Sequence, residues 1–229
     1  MTERISVEWP DPRPFAGRDG RPIRILAVSD EEDPALSSAA TRERLAPIDL
    51  IVGCGDLRPE FLGFLADAFC VPLVYVRGNH DIGEAWSPSA LQRLGAPLPM
   101  IDGALHLEHG LPIIGFGGSP TYSGGPQEVS DLVMWARALR AWWSAAGRAT
   151  LLVTHAAPKG INDAPDLAHR GFPAFRWLAE RLHPPLWLHG HVRLTRRDRA
   201  SRSAHAHGTL FYNTSGATLV ELAPPARVS

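Results

Sequence analysis

The chain is poor in cysteine, in lysine and in net charge, and it has no long apolar run. Two cysteines, Cys54 and Cys70, in 229 residues exclude a disulfide scaffold and a zinc site of four thiolates. They make a reducing cytoplasm the expected compartment. Lys159 is the single lysine among 23 basic residues, which face 24 acidic ones for a net charge of −1. So even a balance gives no field to draw nucleic acid or an anionic membrane surface. No window approaches the roughly 20 apolar residues that span a bilayer. The opening MTERISVEWPDPRPF lacks the apolar core of a signal peptide.

What remains is ordinary for a soluble protein: 45% hydrophobic and 21% charged residues. The length suits a single domain over 1–229 with a core of its own. Residues 1–20 carry Pro10, Pro12, Pro14, Gly17 and Gly20 and read as an irregular lead-in. Short apolar runs rich in branched residues then predict buried strands at 22–29, 49–54 and 71–76, with helices over 34–45 and 60–69 between them. That alternation implies a parallel sheet with right-handed crossovers. Further on, 105–107 and 112–116 read as short strands, 117–127 as a Gly/Pro loop, and 130–146 as the longest helix. A strand at 150–154, a helix at 172–182 and a short strand at 186–188 follow. Residues 209–212 and 218–221 read as a closing antiparallel pair around Asn213–Gly216, a turn placed to support the site from beneath.

The informative feature is what stands where the strands end. The first run ends in Ser29-Asp30-Glu31-Glu32, the second in Gly53-Cys54-Gly55-Asp56, the third in Gly78-Asn79-His80-Asp81. Later runs end in Thr154-His155 and His189-Gly190-His191. In open α/β sheets the crevice beyond the carboxyl ends of the strands is the ligand site. Each of these placements alone reads more simply as a turn or a buried ring. Five in succession aim carboxylates, an amide and imidazoles at one rim, where unpaired carboxylates need a cation to share. Mixed oxygen and imidazole donors suit Mn, Fe or Zn.

The ordered series Asp30, Gly55-Asp56, Gly78-Asn79-His80-Asp81, Thr154-His155 and Gly190-His191 resembles the calcineurin-like metallophosphoesterase superfamily, from about residue 23 to 221. The resemblance implies a four-layer αββα sandwich of the α/β class, with two metal ions at the strand ends. It implies that Asp56 bridges the ions and that Asn79, His155 and His191 complete the second site. His80 would stand near the leaving-group oxygen, with Asp81 orienting its ring.

The first metal site departs from the family pattern. Where D-x-H is usual, this chain has Asp30-Glu31-Glu32, and where G-H-x-H is usual it has Gly190-His191-Val192-Arg193. Both imidazoles of the first site are replaced. Arg193 cannot release its proton and so cannot ligate a metal, although it can grip phosphate with two parallel hydrogen bonds. Three arrangements follow. Arg193 replaces the first ion, or Asp30, Glu32 and Asp56 form an oxygen-rich site for Mn or Mg, or His205 or His207 folds back to supply an imidazole. The simplest reading of residues 193–207, which carry Arg196, Arg197, Arg199 and Arg202, is a solvated loop. The reading favoured is a weakened first site beside an intact second one.

The expected activity is hydrolysis of a phosphomonoester or phosphodiester by water activated on one or two divalent ions. The partner is a small phosphate ester, a nucleotide among the candidates, with Trp86 and Trp135 available for stacking if exposed. The sequence says nothing of the oligomeric state. The competing reading is a non-catalytic phosphate- or nucleotide-binding protein of the same fold. Asp163, Asp166 and His169 read as turn residues before the 172–182 helix at least as well as substrate contacts.

Overall fold

The computed structural model describes residues 2–94, 99–194, 198 and 201–226. Its strands are β1 Glu3–Glu8, β2 Ile23–Ser29, β3 Leu50–Gly53, β4 Leu73–Tyr75, β5 Leu105–Glu108, β6 Leu111–Phe116, β7 Ser119–Pro120, β8 Glu128–Val129, β9 Leu151–Thr154, β10 Leu186–His189, β11 Ser203–Ala206, β12 Thr209–Asn213 and β13 Gly216–Ala223. Its helices are α1 Ala39–Leu45, α2 Pro59–Phe69, α3 Pro88–Arg93, α4 Asp131–Ala145 and α5 Pro173–Leu182.

Two sheets form the middle of the molecule. One has the order β1-β13-β2-β3-β4 and the other β11-β12-β10-β9-β6-β5. Strands β2, β3 and β4 run parallel, as do β12, β10, β9 and β6. Residues on one face of each strand, such as Ile25, Ala27, Val52, Val153 and Leu188, meet in a single core between the sheets. The opposite face of the first sheet, with Leu26, Val28 and Ile51, packs on α1 and α2. The opposite face of the second, with Leu152 and Trp187, packs on α4 and α5. Strands apolar on both faces are what sheets covered on both sides require, and the result is the expected four-layer αββα sandwich. No helix among the described residues is long and apolar enough to cross a membrane.

The structure corrects the chain ends. Residues 3–8 are not lead-in but strand β1, parallel to β13, with alternating half-buried and exposed residues. Ile5 and Val7 pack on the core, and Trp9 is fully buried. The prolines that follow hid this period of two. Strands β12 and β13 are not a hairpin. β12 lies between β10 and β11 in the second sheet, and β13 lies between β1 and β2 in the first. The chain changes sheets at Thr214 and Ser215, and Ser215 bridges to Ser29. Within the supposed solvated loop, Ser203–Ala206 pairs antiparallel with β12. Arg196, Arg197 and Arg199 lie outside the described residues. The expected 34–45 helix is a 3-10 turn, Pro34–Ser37, capped by the Asp33 side chain, and then α1.

Candidate metal centre

The parallel strands of both sheets end at one rim, and the polar residues that follow them in sequence converge there. Asp30 follows β2, Asp56 follows β3, Asn79 follows β4, His155 follows β9 and His191 follows β10. Three of these residues hold left-handed backbone, with φ of 63° at Asp30, 57° at Asp56 and 70° at His191. Such geometry costs about 1–3 kcal/mol for a residue with a Cβ, persists only where surroundings enforce it, and clusters at functional sites. Gly78 makes room for it: a Cβ there would collide with the Asp56 carboxylate. A Cβ at Gly190 would come within 2.6 Å of Asp30 Oδ2.

The hydrogen bonds around the two histidines fix which ring atoms face the rim. His155 Nδ1 lies 2.9 Å from the Cys54 carbonyl oxygen, to which it can only donate. His191 Nε2 lies 2.6 Å from the Ala168 carbonyl oxygen and donates likewise. In their neutral forms the rings therefore turn lone pairs inward, at His155 Nε2 and His191 Nδ1. These two atoms are 3.1 Å apart. Asn79 donates from Nδ2 to the Tyr122 hydroxyl at 3.2 Å, which leaves its Oδ1 facing His155 Nε2 at 3.0 Å. Asp56 Oδ2 stands 3.5 Å from the same nitrogen. In those neutral tautomers four acceptor atoms face one another. Such a cluster repels itself in water-poor surroundings and is satisfied by a shared cation. Ligand atoms of Asp30, Asp56 and His155 also lie within 4.8 Å of one another. Two imidazoles, an amide and carboxylates are donors that fit a divalent cation.

Burial shapes the charges. It lowers the His191 pKa to about 3, helped by His155, and that of His189 to about 4. It raises Asp30, whose carboxylate accepts from the His191 backbone N–H at 2.9 Å. It pushes the Cys54 thiol, which meets the Thr214 hydroxyl, up to about 12 and so leaves it protonated.

The remaining expected residues divide. Asp81 is buried, and burial raises its pKa to about 6. Rather than orienting the His80 ring, its carboxylate accepts from the backbone N–H groups of Gly78, Asp56 and Leu57 at 2.7, 2.9 and 3.1 Å. It therefore ties the Asp56 loop to the Asn79 loop. Arg77 closes the same tie with its guanidinium on the Asp81 carbonyl. His80 is exposed, and its backbone N–H holds Asp56 Oδ1 at 2.9 Å. Glu32 is drawn off the rim by Arg58, which grips both its oxygens and holds its pKa down. Arg193 is exposed just past His191.

His205 and His207 do not reach the rim. His205 pairs in register with Leu210, and His207 lies 3.5 Å from Glu180 at the opposite end of the sheet. Trp86 is buried under Arg77 and against Tyr75, and Trp135 packs on Trp177, so neither stands ready for a base. Asp163 and Asp166 are turn residues, accepting from Gly171 N and from Ala168 and His169 N. The support expected of the 213–216 turn is supplied by Thr214, whose hydroxyl joins Ser29 Oγ and the His189 carbonyl, each at 3.0 Å.

Three contributors carry no signal of their role in the sequence. The carbonyls of Cys54 and Ala168 set the tautomers, and any residue type supplies a carbonyl. Tyr122, in the Gly/Pro loop, orients Asn79.

The chain resembles known proteins in the same terms. Residues 23–192 match the calcineurin-like phosphoesterase family. One solved structure shares 14% identity at a TM-score of 0.66, over 87% of this chain and 95% of its own. The crystal structure of TT1561 of Thermus thermophilus shares 19% identity at a TM-score of 0.58, over 85% of this chain and 90% of its own. Both likenesses are of fold. Among curated proteins none matches the chain. Family match, sandwich architecture and the convergence of donors at the strand ends agree: the chain belongs to the calcineurin-like phosphoesterases, a family of metal-dependent phosphoester hydrolases.

Proposed function

We propose that this protein hydrolyses a small phosphate ester around a single divalent cation held by Asp56, Asn79, His155 and His191, with Asp30 at its margin. The observation that carries the reading is the convergence of His155 Nε2, His191 Nδ1, Asn79 Oδ1 and Asp56 Oδ2, spaced 3.0–3.5 Å along their contacts. When bound, a divalent cation supplies a nucleophile at neutral pH and stabilises charge on the phosphoryl group. The protein does the rest by position. The Cys54 and Ala168 carbonyls hold the imidazoles in the ligating tautomer. Tyr122 holds the Asn79 amide. Asp81 fixes the loop that carries His80. His80, exposed beside Asp56, gives its proton to the leaving oxygen. Arg193 grips two phosphoryl oxygens in the place the first ion takes elsewhere in the family. With Glu32 committed to Arg58, an oxygen-rich first site has lost one of its three donors. The exposed free thiol of Cys70 suits a reducing cytoplasm.

The test is a Mn titration by calorimetry, alongside hydrolysis of p-nitrophenyl phosphate and bis(p-nitrophenyl) phosphate. We expect one ion per chain and Mn-dependent turnover of one of the two esters. His191→Ala should abolish both. A chain that binds Mn but turns over neither ester with any divalent ion is instead a phosphate-binding protein. Two ions bound per chain would overturn the single-site reading.

A further inference from the structure

Helix α4 has a second apolar face. At 100° per residue, its buried arc is Met134, Ala138, Ala141 and Ala145, which pack on the second sheet and α5. The arc centred some 130° away holds Leu132, Trp135, Leu139, Trp142, Trp143 and, at the cap, Ala146, with no charged residue among them. Leu132 is 81% exposed, Trp143 75% and Leu139 44%. Trp142 stacks edge-on with Trp143 and with Trp177 of α5, and Trp135 also meets Trp177. Four of the seven tryptophans therefore gather on one outer surface, away from the strand-end rim. A helix apolar on both sides is one that is buried on both sides.

We propose that this face is where two copies of the chain pair, α4 against α4, antiparallel about a two-fold axis at Leu139. Two observations select a second copy. The first is spacing and charge. The apolar positions 132, 135, 139, 142 and 146 step by three and four, the pattern by which helices pack on helices. With Leu139 on the axis, position 132 faces 146 of the other copy, and Asp131 comes opposite the turn that bears Arg148. The Asp131 side chain is 42% exposed and has a long, 4.0 Å ion pair with Arg170. Arg148 is exposed. The pairing thus occurs twice, as an isologous interface requires. The second is area. The exposed parts of these side chains amount to about 500–600 Å² on one copy, at the top of the range for patches on monomers. Doubled, that reaches the roughly 1,000 Å² that a specific interface needs.

The experiment is sedimentation velocity of the full chain from about 1 to 100 µM. The wild type should sediment at twice 24.9 kDa at the upper end and dissociate on dilution. Leu139→Glu sets two like charges facing each other on the axis. It should be monomeric throughout, with an unchanged circular dichroism spectrum and an unchanged Mn response. Arg148→Asp should weaken the dimer at least tenfold, and adding Asp131→Arg should restore it. Leu139→Cys in a Cys70→Ser background should cross-link to itself on mild oxidation. A wild type that stays monomeric at 100 µM overturns the proposal, as does a dimer that Leu139→Glu leaves intact. So does a monomeric wild type that binds lipid vesicles through Trp143.

Discussion

Replacing Asp56 by Asn should make the metal-free protein more stable and at the same time destroy its response to metal. The cause is the 3.5 Å separation between Asp56 Oδ2 and His155 Nε2. Both atoms are acceptors once His155 Nδ1 has donated to Cys54. In the asparagine variant, Oδ1 still accepts the His80 N–H, while an N–H replaces Oδ2 and donates to the imidazole lone pair. An added buried hydrogen bond contributes about 0.5–1.5 kcal/mol. For a chain of this size, that raises the melting temperature by about 1–6 °C. The wild type behaves in the opposite way. Mn at 100 times its dissociation constant adds about 2.7 kcal/mol of stability, which corresponds to an upward shift of about 5–11 °C. The assay is thermal unfolding by circular dichroism of both proteins, each in chelator and in Mn. An Asp56→Asn protein that melts lower than wild type in chelator, or that still climbs with Mn, would refute the claim that four lone pairs face one another without a proton.

Other substitutions probe the same geometry. Gly78→Ala puts a Cβ into the Asp56 carboxylate. Displaced ligands of this kind weaken metal affinity about 10–100-fold, and calorimetry with Mn reads the loss. Tyr122→Phe removes the partner of Asn79 Nδ2 and should weaken Mn binding up to about tenfold with the fold intact. An unchanged affinity would show that the amide is oriented without it. The pH dependence follows from His191, whose pKa is lowered to about 3 by burial. Below about 6.5 the unfolded chain takes up a proton that the folded chain refuses, so the stability from this group is complete above 6.5 and drains as pH falls toward 3. Metal-free wild type should therefore lose on the order of 1–2 kcal/mol relative to His191→Asn between pH 7 and 5. Urea melts that give a constant difference across that range would contradict it.

Much of the architecture was legible because its determinants are local. An apolar run such as Ile25 to Val28 declares a strand buried on both faces, and the polar residue that stops it declares the rim. What was not legible is settled over long range. Strand β13 joins the first sheet because Gly216–Leu222 finds Ile23–Ser29, nearly two hundred residues earlier in the chain. Nothing in Thr218–Glu221 itself distinguishes that partner from β12. Strand β1 was hidden in the same way, since Ile5 and Val7 count as core only against β13.

The site divides along the same line, and the division explains the glycines. Sequence names Asp30, Asp56 and His191 as ligands but does not show that each must be held in left-handed backbone. That conformation carries the carboxylate or ring back over the strand end, and it crowds the neighbouring loop so closely that only glycine fits at Gly78 and Gly190. A glycine beside a ligand in this chain is therefore the trace of strain at that ligand. The strain persists because Asp81, Thr214 and the Ala168 carbonyl tie the loops from outside. Of these three, the turn that bears Thr214 was legible as a support, the Ala168 carbonyl was not, and Asp81 advertised itself for a different role. The residue expected to steer His80 instead holds the loops that keep Asp56 in place.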